Sequence, residues 1–314
     1  RHFKNTFPDG SLSEGHFLSD TLDLSGGLLE EFRKHLGDSV YHLILKLQDA
    51  IEHDPSTLQD VSVYTGIGGI AYLYLHLGLT SSRHQHLLKE AEKMVDIALE
   101  KGRLSKRPSF LCGDVGLFCV AAVLYKMHNR ETDVKKMVQL IENFHPVVID
   151  LKSGLPDEIL YGRSGYLYAL LYLNKHLGGI IQEGHIMEVV QAILASGKRG
   201  AHESYEVLKS QEYLEPARKA SDVVWERGLL TKGYGICHGV AGNAYTFLSV
   251  YEMTHDPNQL HRTAQFAKFC SDYGKHGCRH PDRPLSLFEG LAGTIYFLND
   301  LQNPSAAKFP AFAL

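Results

Sequence analysis

With 314 residues, 44% of them hydrophobic, the chain can bury a large core and reads as one domain, 1–314. A net charge of -4 with no Lys/Arg-rich run argues against nucleic acid or an anionic membrane as the main partner. Five scattered cysteines point to reduced thiols in a reducing compartment, and the longest apolar stretch, around 67–79, carries His76 and is too short to be a transmembrane segment.

In chain order, one cue opens five apolar runs: two glycines three residues apart, then a segment dense in Tyr, Leu and Ala. The pairs are Gly66/Gly69, Gly113/Gly116, Gly162/Gly165, Gly239/Gly242 and Gly290/Gly293. The runs behind them include 71–77, 119–125, 166–173, 244–251 and 294–301. Between the cues lie helices of a second kind, at 87–99, 137–144, 186–194, 214–224 and 260–270. Each of these carries a single apolar stripe and a wet face. In 87–99 the stripe is Leu87, Leu88, Ala91, Met94, Val95, Ala98 and Leu99. Pairing a helix apolar nearly all round with a half-wet one predicts an all-α fold of two concentric shells. An α/α toroid is favoured over an open solenoid because no end repeat has a polar cap. Close backbone approach at the inner-helix starts would suit glycine. Most of the histidines, His84, His86 and His185 among them, read as residues of polar faces.

The intervals between first glycines are 47, 49, 77 and 51 residues. If three intervals of ordinary length once separated Gly162 from Gly239, about 70 to 75 residues are absent there. The segment 197–205 is the nearest thing to a seam. The domain therefore reads as carrying an internal deletion near 197–212, and His202 could be the remnant of a lost motif.

The sharpest chemical feature is the run Gly233-Tyr234-Gly235-Ile236-Cys237-His238-Gly239. Cys and His are good zinc ligands, and a glycine-flanked turn lets neighbouring side chains converge on one metal. An incidental pairing of Cys237 with His238 is the competing reading. A zinc ion open to a substrate needs three protein ligands. Cys278 is the first candidate for the third and Cys112 the second, each also readable as a small buried hydrophobe, while Cys119 and Cys270 are read as that outright. Asp114 and Glu289 stand at inner-helix starts, where acidic residues suit exposed N–H groups. Arg163 at such a start opposes the helix dipole and calls for an ion pair or an anionic ligand. Lys232 precedes the Cys-His turn and Arg279 follows Cys278, and two cations near a metal thiolate would suit a ligand with several carboxylates.

The strings YTGIGGIAYLYLHL, FLCGDVG, LPDEILYGRSGYLYALLYLN, KGYGICHGVAGNAY, HGCRHPDRPLSLFEGLAGTIYFL and KFPAFAL resemble those of the eukaryotic lanthionine synthetase C-like proteins, over nearly the whole chain. The resemblance implies an α/α toroid with one zinc ion at its mouth and glutathione as ligand or co-substrate. The implied reaction adds the glutathione thiol to dehydroalanine or dehydrobutyrine residues of proteins. Residue by residue, it implies Cys237 and His238 as zinc ligands and Lys232, Arg279 and Arg1 as glutathione contacts, with His280, Pro281 and Asp282 in the same loop. The implied compartment is the cytoplasm, with a peripheral membrane or nuclear location as alternatives.

The departure from the family is that two of its seven glycine-marked repeats fall in the irregular interval. With them go a Trp-Cys-His-Gly string bearing the third zinc ligand and an Ala-His-Gly string bearing an acid-base histidine. No catalytic residue is therefore assigned. Three readings follow: a zinc-dependent glutathione transferase, a non-catalytic glutathione-binding or adaptor protein, and, distantly, a glycosidase using Asp114 and Glu289.

Overall fold

The computed structural model describes residues 1–13, 16–53, 59–102, 104–197 and 214–312. The expected seam beyond Gly197, and His202 with it, lies outside these residues. In chain order the elements are a hairpin, β1 (Ser11–Ser13) and β2 (His16–Leu18), then helices α1 (Glu30–His53), α2 (Ile67–Thr80), α3 (Leu87–Lys101), α4 (Asp114–Met127) and α5 (Glu131–Glu142). There follow α6 (His145–Ile149), α7 (Arg163–Leu177), α8 (Glu183–Gly197), α9 (Leu214–Arg227), α10 (Val240–Thr254), α11 (Pro257–Ser271) and α12 (Leu291–Leu301). The antiparallel hairpin pairs Ser11 with Leu18 and Ser13 with His16. Residues 1–54 and 210–309 form one compact unit; residues 55–209 and 310–314 form another.

All five glycine cues open helices. Gly66, Gly113, Gly162, Gly239 and Gly290 are the N-caps of α2, α4, α7, α10 and α12, and none of these starts has a side-chain cap. A helix start leaves backbone N–H groups without partners, and a Ser, Thr or Asp usually answers one of them. Here the preceding loop answers them with its own carbonyls. The first helical N–H donates seven residues back in every case: Ile67 to Asp60 at 2.8 Å, Asp114 to Arg107 at 3.0 Å, Arg163 to Pro156 at 2.9 Å, Val240 to Gly233 at 3.1 Å and Leu291 to Pro284 at 2.8 Å. That packing leaves no room for a side chain. A Cβ on Gly116 would sit 1.8 Å from the Phe110 carbonyl oxygen, and one on Gly242 would sit 1.8 Å from that of Ile236.

The two helix classes separate as the sequence suggests, with one exception. Residues 114–125 of α4 are buried without a break, and α2 is buried over 67–75. By contrast α5 buries only Val134, Met137 and Ile141, and α3 buries Leu87, Ala91, Val95 and Ala98. The exception is α11, expected to be half-wet, which is buried on nearly all sides. Its polar residues are covered by the N-terminal segment. The His261 ring bonds Ser19 Oγ through Nδ1 (2.7 Å) and the Pro8 carbonyl through Nε2 (2.9 Å). Arg262 donates to both oxygens of Asp9 and to Asp222 (2.7 Å), while Gln265 donates to Asp20. Burial alone would raise the Asp9 carboxyl, but the hydrogen bond and charge of Arg262 outweigh it and hold it below the usual range. The polar face was readable from sequence; the strap that buries it was not.

Five further residues correct or settle expectations. Arg163 is buried, and its guanidinium donates to the carbonyls of Val148, Asp150 and Leu155, to Ser153 Oγ and to Asp157 Oδ1. It is satisfied by an ion pair and loop carbonyls, which is one of the two answers its position demanded. The Asp114 carboxylate, instead of capping its own helix, accepts from Ser105 N (2.7 Å), Ser105 Oγ (2.8 Å) and Lys106 N (2.6 Å) and so fixes the loop before α4. His84 is buried, so it does not belong to a polar face; His86 is exposed and His185 half-buried.

Candidate functional site

The first unit carries a cleft of about 150 Å³, lined by Lys232, Gly233, Gly235, Cys237, His238, Gly239, Arg279, Pro281, Asp282 and Glu289. Three stretches of backbone build it. The N-terminal residues lie alongside 229–231: Phe3 N donates to the Leu229 carbonyl (2.7 Å) and Thr231 N to that of Arg1 (3.2 Å). On the other side, Arg279 N donates to the Thr231 carbonyl at 2.8 Å. Arg1, Lys232 and Arg279, distant in sequence, therefore stand on adjoining backbones. The third stretch is 286–290: the N–H groups of Ile236 and Cys237 both donate to the Phe288 carbonyl at 2.9 Å. A Cβ on Gly235 would fall 2.4 Å from the Glu289 carbonyl oxygen, so only glycine permits that approach.

Of the residues singled out from sequence, Lys232, Arg279, Pro281, Asp282, Cys237 and His238 line the cleft together. Arg1 adjoins it through its backbone, and His280 is exposed outside the lining. Arg279 and Asp282 form an exposed ion pair at 3.5 Å. The lining thus offers two cations beside two carboxylates, Asp282 and Glu289. This arrangement matches a zwitterion with more than one carboxylate better than it matches a simple anion.

Cys237 Sγ and His238 Nδ1 are 2.7 Å apart, so the adjacent side chains do converge. Both donor types suit zinc. Among the described residues, however, no group of three His, Cys, Asp or Glu side chains is placed to hold a metal ion. Within this unit the first candidate third ligand, Cys278, does not join the pair. Cys278 Sγ faces the Leu230 carbonyl at 3.8 Å, and burial raises its thiol pKa. Cys112 lies in the other unit, where burial pushes its thiol up to about 11, partly offset by a hydrogen bond with Tyr161. Cys119 and Cys270 are buried, as expected of small core residues. The donor set of the described residues is half of a zinc site and does not fit the ion by itself.

A support behind the cleft was missed in the sequence. The Tyr234 ring is buried beside Phe269, Tyr273 and His276, with ring centroids 5.5, 4.7 and 5.9 Å away. Its hydroxyl meets His276 Nδ1 at 2.9 Å, and burial pushes its pKa up to about 12. The signal available was a large aromatic residue set between two glycines.

Comparisons with known proteins bear on the family and the fold. The sequence profile described as "Lanthionine synthetase C-like protein" matches residues 57–205 and 200–314. A zebrafish (Danio rerio) relative named "Glutathione S-transferase LANCL1" is 32% identical over 407 aligned positions, covering 99% of this chain and 98% of the relative. An Arabidopsis thaliana relative, "LanC-like protein GCL1", is 26% identical over 366 positions, covering 85% of this chain and 84% of its own length. Among solved structures, "Nisin cyclase" superposes with a TM-score of 0.56 at 14% identity, covering 88% of this chain and 96% of the other. That likeness concerns the fold alone and places the chain in the all-α, α/α toroid class expected from its repeats. No described helix is long and apolar enough to cross a membrane. The glycine-led helices, the cleft-lining strings and these matches together establish that the chain belongs to the lanthionine synthetase C-like family.

Proposed function

We propose that the cleft is a glutathione site. The reading rests on one observation above all: Lys232 and Arg279 line one cleft with Cys237, His238 and Glu289. Glutathione carries two carboxylates, one ammonium and one thiol. The carboxylates pair with Lys232 and Arg279, with Arg1 on the adjoining backbone as a third cation. Glu289 or Asp282 takes the ammonium, and the thiol faces the Cys237–His238 pair. Pro281 and Asp282 form the wall of the site, and His280 follows Arg279 on its rim. The relative named as a glutathione S-transferase supports the choice of ligand.

A second reading is transfer: glutathione added to dehydroalanine or dehydrobutyrine residues of partner proteins, in the cytoplasm. Convergence of Cys237 and His238 favours it. A bound zinc ion would supply thiol activation by lowering the pKa of the glutathione sulfur. That requires a third donor, which the described residues do not provide. The proposed internal shortening explains the shortfall. The zebrafish alignment runs over 407 positions against 314 residues here, and the family profile matches in two pieces that meet near residue 200. Glutathione binding without a completed metal site is therefore the better-supported function.

Elemental analysis after dialysis, run alongside a glutathione titration, separates the two. Binding with no zinc identifies a glutathione-binding protein. Near one zinc per chain would make transfer the function, and absence of glutathione binding would reject both.

A further inference from the structure

The loop bearing Arg279 is a long arm with little regular structure. It turns at Gly274 (φ 87°) and Gly277 (φ 68°), both in the left-handed region that glycine favours. Described contacts tie it back to the 229–234 segment at three places. Arg279 N donates to the Thr231 carbonyl (2.8 Å) and Cys278 Sγ to the Leu230 carbonyl (3.8 Å). The third tie is double. The His276 backbone N–H donates to Tyr234 Oη at 3.2 Å, and the same oxygen is hydrogen-bonded to the His276 ring at Nδ1, 2.9 Å away. One hydroxyl thus meets both the ring and the backbone of the same residue. The His276 ring also stacks on Phe269, centroids 3.6 Å apart and planes 13° apart. Tyr234 lies two residues after Lys232, so the clasp joins the base of one cation to the arm carrying the other.

We infer that the Tyr234–His276 clasp is a positioning element that fixes the separation of Lys232 and Arg279, and so selects thiol peptides with two carboxylates over those with one. This rests on the glutathione reading of the cleft. A ligand held at both ends gains from the fixed spacing, because the arm need not be ordered on binding. A ligand held at one end does not. Neither Tyr234 nor His276 needs to touch the ligand.

The test titrates glutathione and its glycyl monoethyl ester calorimetrically into the full chain, as wild type, Tyr234→Phe and His276→Leu. Tyr234→Phe keeps the ring packing and removes only the hydroxyl. Losing a hydrogen bond of this kind weakens a dependent interaction by about two- to tenfold. The expected result is a loss of that size for glutathione with little change for the ester, in both variants, so that the preference for the diacid narrows. Equal affinity of Tyr234→Phe and wild type for glutathione would overturn the clasp. Equal weakening of both ligands would show general damage to the cleft and would also overturn it. If wild type binds neither ligand, the glutathione reading itself fails.

Discussion

Replacing Gly242 by alanine tests the packing that shapes every inner-helix start. The new methyl would lie 1.8 Å from the Ile236 carbonyl oxygen, whereas real Cβ atoms essentially never come within 3.0 Å of a neighbour. Backbone must therefore move by about 1.2 Å, since the obstructing atom belongs to no flexible side chain. Overpacking of this kind costs about 1–3 kcal/mol, and a backbone obstacle places Gly242→Ala at the upper end. Ile236 precedes Cys237, so the displaced turn should also weaken glutathione binding. Gly184 provides the control. It sits in the first turn of α8, and a methyl group added there would meet nothing within 4 Å, so alanine should stabilise by about 0.5–1 kcal/mol. Urea denaturation of the two variants should give opposite signs. A Gly242→Ala protein as stable as wild type would refute the reasoning, because the close approach would then not be what requires glycine.

Other outcomes follow from the same geometry. Arg163→Met strands the Val148, Asp150 and Leu155 carbonyls and the Asp157 carboxylate beneath the start of α7, and denaturation should register a loss of about 3–5 kcal/mol. Burial holds the pKa values of His84, His176 and His276 below 6.5, so between their folded values and 6.5 the unfolded chain binds more protons. Their contribution to stability is intact above pH 6.5 and is lost as pH falls through the folded values. Thermal midpoints should decline on acidification from pH 7 to 5; a flat profile would contradict neutral burial. Asp9 and Asp20, whose carboxyls sit below 3.8 in the fold, should add a second loss below that pH.

The inner helices were legible because their cause is local: a glycine pair, then an unbroken apolar run. Helix α1 was not picked out, although its buried stripe of Phe32, Leu36, Val40, Leu43, Ile44 and Leu47 has helical spacing, because no glycine cue precedes it. Burial of α11 depends on residues some 240 positions away, such as Ser19 against His261, and periodicity carries no trace of such a cover. In the site, the Cys237–His238 pair was legible as adjacent letters. Lys232 and Arg279 were legible as two cations near the Cys and His residues, the resemblance named glutathione as their ligand, and the physical basis of their union is the Thr231 bridge between their backbones. Tyr234 and His276, 42 positions apart, meet only once the chain has folded.

The most direct test of the account is a calorimetric titration of glutathione into the chelator-treated chain, compared with Lys232→Ala/Arg279→Ala. The account predicts saturable binding that survives chelation in the wild type and is lost in the double variant. Binding that vanishes with the metal, or that persists at full strength without the two cations, would contradict it.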